Sequence, residues 1–149
     1  MNRINWGRVI VGGLAAGVVL NLGEWLLHEV ILRERMEEAA SAMGMELPSG
    51  SDIGIFVAMT FVLGILLVWL YAAIRPRYGA GPKAAILAGL FGWILLYLFW
   101  LIYNIAWEIF PQDMVTISTI WGFFELPIAT LVGAWLYKEE ATAMGRGAA

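Results

Sequence analysis

The sequence contains no cysteine. That excludes disulfides, thiolate metal sites, cysteine nucleophiles and covalently attached c-type haem. It has one histidine, His28, so bis-histidine haem ligation within a single chain is excluded as well. Charge is scarce: 14% of residues are charged, against about 25% in ordinary soluble proteins. The formal net charge of −3 offers no basic footprint, so no nucleic-acid partner is expected. No nucleophile, base and orienting residue form a recognisable set, which leaves hydrolase chemistry without support. No apolar run alternates with period two, which excludes barrel strands.

What remains is apolar: 61% of the 149 residues, more than a soluble core of this size can hide. Four runs stand out, at residues 9–32, 53–74, 84–110 and 114–137. A helix crosses a hydrocarbon core of about 30 Å with about 20 residues, and each run is long enough. The first is too long for the apolar region of a signal peptide, about 7–15 residues, and no cleavage pattern follows it. The expected fold is an all-α polytopic membrane protein, a four-transmembrane-helix bundle forming one domain over 1–149.

The connections differ in character. Residues 33–52 are long, and their first half has helix-forming composition to about Met43. Met36, Ala39, Ala40 and Met43 then share a face, suited to a lipid surface or a partner. Residues 75–83 form a short basic turn with proline and glycine, and Pro111-Gln112-Asp113 a tight one. Arg3, Arg8, Arg75, Arg77, Lys83, Lys138 and Arg146 fall on one side of the membrane, and only Arg33 and Arg35 on the other. The positive-inside rule makes the first side cytoplasmic, with both termini inside.

Ionisable residues inside spans are costly, and they mark functional sites by default. Here they are Glu24, His28, Glu29, Glu108 and Glu125, with the neutral Asn21 and Asn104 beside them. At 100° per residue, Gly13, Gly17, Asn21, Glu24 and His28 share a stripe of the first helix about 80° wide. Gly13 and Gly17 have the small-xxx-small spacing that lets helices approach closely. In the third helix Trp93, Tyr97, Trp100, Asn104, Trp107 and Glu108 fall within about 100° of arc. In the fourth, Ser118, Trp121, Gly122, Glu125 and Ala129 share a side, and Pro127 can kink the helix. The second run carries little polar beyond Thr60 and reads as a packing helix. Depth along the spans puts Glu125 at mid-membrane and the other polar groups further outward. The pattern suggests a pocket open to the outer face and closed inward by Gly13, Gly17, Ala85 and Gly89.

Each feature has a plain reading beside the functional one. Glu24 and His28, at i and i+4, can chelate a metal with Glu125 or Glu108 as third ligand, or His28 can serve as an axial haem or chlorin ligand. The plain alternative is a hydrogen-bonded cluster that sets helix register. Glu125 is either a proton- or cation-binding group or a neutral acid bonded to a neighbouring helix. Trp93, Trp100 and Trp107, with Tyr97 and Trp121, either pack helices or line a site for an aromatic or cationic molecule. Trp6, Trp69 and Trp135 are placed to anchor the cytoplasmic interface.

The opening Asn5-Trp6-x-x-Val9-Ile10-x-Gly12-Gly13-x-x-Ala16-Gly17, followed by Asn21-x-x-Glu24, resembles a family of small four-span bacterial inner-membrane proteins. The resemblance implies location and layout, and it brings no activity. The residues themselves point to a binding or transport protein for a proton, cation or small cationic solute. Glu24, His28 and Glu125 would be its ligands, Asn21, Asn104 and Glu108 would stand beside them, and Gly89 and Gly122 would pack helices. The alternatives are an accessory subunit of a larger membrane complex, possibly pigment-binding, and a metal-dependent enzyme at Glu24 and His28. The cofactor is left open; the expected partners are the lipid bilayer and either further copies of the chain or a larger complex.

Overall fold

The computed structural model describes residues 4–138; Arg3 and Arg146 of the charge count lie outside them. The described chain is helical, with no strand. Four helices are long and apolar enough to cross a membrane: α1 (Trp6–Ile31), α3 (Ser51–Tyr78), α4 (Pro82–Trp107) and α5 (Gln112–Leu136). A fifth, α2 (Arg33–Met43), follows α1 after a bend at Leu32. The chain is a small multi-pass membrane protein built as a four-helix bundle, and the four spans among the described residues put Ile4 and Lys138 on the same side.

Local chemistry sets the helix ends. The Asn5 side chain accepts from the Arg8 N–H at 3.0 Å and caps α1. Pro82 opens α4 at a position where its missing N–H costs nothing. Gly44, at φ +66°, closes α2 in the left-handed conformation that glycine adopts freely. The second span runs further than the apolar run, through Pro76 to Tyr78, so part of the expected basic turn is helical. Arg75 and Arg77 in that last turn suit the negative end of the helix dipole. The third span stops short of its expected end, at Trp107. Glu108 then reverses the chain at φ +50°, a strained conformation for a residue with a side chain.

The half of the bundle nearer residues 4 and 138 is closely packed. Gly64 of α3 fits between Gly13 and Gly17 of α1, and a Cβ on Gly13 or Gly17 would run into Ile65 or Phe61. Gly89 of α4 lies on the backbone of Pro127 in α5. Around these contacts Val9, Leu20, Val68, Ala85, Ala88, Leu126 and Ala129 form a dry core. The end of the bundle near residues 4 and 138 is tied by rings: Tyr71 and Tyr137 meet edge to face at 5.9 Å, and the Asn5 N–H reaches the Tyr137 hydroxyl at 3.3 Å. The Arg75 guanidinium lies over the Tyr137 ring.

The opposite half is more open. Residues 51–59 of α3 are exposed on every side. The apolar face of α2 is turned onto the protein itself, where Met36 and Ala39 pack on Leu27, Leu32 and Met114. An Arg35–Asp113 ion pair ties α2 to the start of α5. Ala40 is buried and Met43 exposed, so only the end of that face is left for lipid or a partner.

Two turns depart from the α-helical repeat. Leu26–Ile31 in α1 and Ile94–Leu98 in α4 are π-helical. Such a turn bonds residue i to i+5 and holds one residue more, so the faces beyond it rotate by about 100°. Isolated π turns inside α-helices occur frequently at functional sites.

Candidate intramembrane carboxyl site

The two π turns hold His28 and Tyr97, and both side chains converge on Glu24. The Tyr97 hydroxyl donates to Glu24 Oε1 at 2.6 Å, joining α4 to α1. His28 Nδ1 lies 3.1 Å from Glu24 Oε2 and 2.9 Å from the Glu24 carbonyl oxygen. Both partners of Nδ1 are acceptors, which assigns the hydrogen to Nδ1 and leaves Nε2 to take up a second proton. The side chains of Glu24 and His28 are 30% and 42% exposed, so this end of the cluster is open to its surroundings.

Glu125 supplies the closed end. It is 7% exposed and adjoins Glu24 and Trp121. Neither carboxyl oxygen has a hydrogen-bond partner, and Trp121 Nε1 is likewise buried without an acceptor. The indole N–H and the carboxyl are thus neighbours that fall short of bonding geometry. Two glycines make the cluster possible. A Cβ on Gly23 would overlap Glu125 Oε1, and a Cβ on Gly122 would strike the Tyr97 ring. Tyr97 reaches Glu24 only because α5 has no side chain in its way.

The structure therefore brings together Glu24, His28, Glu125, Tyr97 and Trp121. The other sequence candidates lie elsewhere. Asn21 is one turn inward, where its Nδ2 donates to the Gly17 carbonyl at 2.8 Å. Asn104 is fully buried at the α4–α5 turn: its Nδ2 donates to the Phe110 carbonyl at 3.0 Å and to Gln112 Oε1 at 3.1 Å, and its Oδ1 accepts from the Phe110 N–H at 2.8 Å. It organises the turn. Glu108 is exposed and lines a surface groove with Ala39, Met43, Ile109 and Gln112. Gly13 and Gly17 pack on α3, whereas Glu24 faces α4 and α5.

The tryptophan stripe divides at the π turn. Trp93 stays against α5, donating to the Thr119 carbonyl at 2.8 Å and meeting Phe123 edge to face at 5.2 Å. Trp100 and Trp107 lie on the outer surface, where both stack on Tyr103. Trp107 is 67% exposed. A seven-residue repeat keeps one face only while the helix stays regular, and Ile94–Leu98 interrupts it. Gly23 escaped the sequence reading because a lone glycine in an apolar run carries no signal of what approaches it.

Chemically the cluster is a pair of carboxyls with unequal surroundings. Glu24 has a donor on each oxygen, from a phenol and an imidazole. Glu125 has none, and its polar neighbours are another carboxyl and an indole. Two carboxyls bond to each other only through a proton that one of them keeps. Among the described residues, no three His, Asp or Glu side chains are gathered in a way that could hold a metal ion, so the metal reading gains no third ligand. In comparisons with protein-family models, curated proteins and solved structures, nothing matches this chain, and the site must be read from its own geometry.

Proposed function

We propose that this is a proton-binding transport protein of a bacterial cytoplasmic membrane, with its site open to the outer side. Glu24 and Glu125 share the proton, His28 passes it in and out, and Tyr97 and Trp121 shape the cavity around the carboxyls. A small cationic solute would compete with the proton for the same charge. The observation that supports this most is Glu125, a buried carboxyl with neither oxygen hydrogen-bonded and a second carboxyl beside it. Two adjacent negative charges, one of them buried, are costly, and one proton between them removes most of that cost. The alanine- and glycine-rich half beyond Asn21 and Thr130 supports access from one side, since the helices there are closely packed.

The test is proton uptake by the reconstituted protein. Wild-type protein in vesicles should show pH-dependent proton binding or flux, and Glu125→Gln should abolish it. Glu46→Gln, in the exposed loop before α3, should behave as wild type. Equal uptake by Glu125→Gln and wild type would remove the central argument.

The bare outer half of α3 supports a second reading, an accessory subunit of a larger membrane complex docked along residues 51–59. Isolation in mild detergent separates the two. Stable co-migration with a larger assembly favours the subunit reading, and an isolated active species favours the first.

A further inference from the structure

The two carboxyls differ in what their walls offer. Glu24 Oε1 and Oε2 each meet a donor, while both Glu125 oxygens are buried without one. The contrast traces to one backbone position on α1. The Glu125 carboxyl lies directly against Gly23, where a Cβ would overlap Oε1 and come within 2.9 Å of the carboxyl carbon. Helical N–H groups point along the axis into their own hydrogen bonds. The wall that Gly23 presents is therefore Cα hydrogen, which admits the carboxyl and donates nothing to it.

The remaining elements do not change this balance. From α1 the ionisable groups nearby are Glu24, His28 and Glu29, and Glu29 is engaged by Arg33 at 2.6 Å. From α4 there is Tyr97, whose hydroxyl is on Glu24. From α5 there is the Trp121 indole, outside bonding geometry. Between Asp52 and Arg75, α3 carries no charged residue. Arg33 of α2 also holds Glu37, at 3.1 Å.

We infer that Gly23 is the positioning residue of the acid pair: its missing side chain seats Glu125 on a donor-free wall beside Glu24, which fixes the shared proton on Glu125 and the negative charge on Glu24. This rests on the proton-binding reading above and adds the residue that makes the pair unequal. It also gives the site a direction. Glu24, with His28, is the exchanging end, and Glu125 is the storing end.

Infrared spectroscopy of the full chain in lipid nanodiscs tests it, because the C=O stretch of a protonated carboxyl stands apart from carboxylate and amide bands. At neutral pH the wild type should show one such band, lost in Glu125→Gln and kept in Glu24→Gln. In Gly23→Ala the added methyl displaces the carboxyl, and the protonated fraction at neutral pH should fall at least tenfold or its band should shift in frequency. Gly54→Ala makes the same chemical change on a helix where nothing lies within 4 Å, and should leave the band as it is. Should Gly23→Ala not fold, Glu125→Asp retracts the carboxyl from Gly23 without adding an atom and should give the same result. A wild-type band in both Gly23→Ala and Glu125→Asp overturns the role of Gly23 while the acid pair stands. A band that survives in Glu125→Gln, or no band in the wild type, overturns the acid pair and this inference with it.

Discussion

The Tyr97 hydroxyl lies 2.6 Å from Glu24 Oε1, joining α4 to α1 past the bare backbone of Gly122 on α5. One hydrogen bond therefore depends on residues of three spans. It also explains why Glu24 is the better-solvated member of the acid pair, since a phenol on one oxygen and an imidazole on the other replace the water that a carboxylate would otherwise need.

Removing that hydroxyl should weaken both the fold and the site. A hydrogen bond to a charged group contributes about 1.5–3 kcal/mol, and Tyr97→Phe should lower stability by that order. Gly122→Ala should reach the same end by pushing the Tyr97 ring away. The two changes act on one contact, so their effects in the double variant should be less than additive. Thermal unfolding in detergent, alongside proton uptake, measures both.

Much of this arrangement is legible in the sequence, and the rest fails for identifiable reasons. Four apolar runs separated by basic or proline-bearing turns translate directly into four spans. Glu24, His28, Tyr97 and Glu125 stand out because polar side chains within apolar runs demand a partner. Trp100 and Trp107 do not keep company with Tyr97, because a helical wheel assumes a constant 100° step and the π turn at Ile94–Leu98 adds a residue. The role of Asn104 depends on where α4 ends. Once Glu108 turns the chain, the Asn104 amide meets the returning backbone of Phe110. Gly23 matters only through the side chain that lands on it, and a single sequence does not encode that neighbour.

Asn104 should behave as a structural residue. Asn104→Ala leaves the Phe110 N–H and carbonyl without their partner at the α4–α5 turn. Each such hydrogen bond contributes about 0.5–1.5 kcal/mol, so the loss of both should lower the melting temperature. Proton binding per folded molecule should not change. A loss of binding without a loss of stability would move Asn104 into the site.

Orientation can be read without background, because the chain has no cysteine. Ala80→Cys places a thiol in the exposed α3–α4 turn, and Ser49→Cys places one in the loop before α3. A membrane-impermeant thiol reagent applied to intact cells should label position 49 and spare position 80 until the membrane is opened. The reverse pattern would invert the positive-inside assignment and turn the site toward the cytoplasm.

Glu125 should be a residue whose replacement makes the protein more stable and less functional. Its carboxyl is buried with both oxygens lacking a hydrogen-bond partner, and the next residue, Leu126, belongs to the buried core. A polar group left unsatisfied in the interior costs about 1–3 kcal/mol, and an apolar side chain of similar size carries no such cost. Glu125→Leu should therefore raise the melting temperature while abolishing proton uptake, the trade-off expected where a destabilising group is kept for its chemistry. Glu24→Leu provides the contrast. It strands the Tyr97 hydroxyl, which now has a carboxylate to donate to, and leaves His28 Nδ1 only the backbone carbonyl of position 24, so it should lower the melting temperature. If Glu125→Leu destabilises the bundle as much as Glu24→Leu does, the Glu125 carboxyl is a structural link between helices, and the donor-free environment assigned to it is wrong.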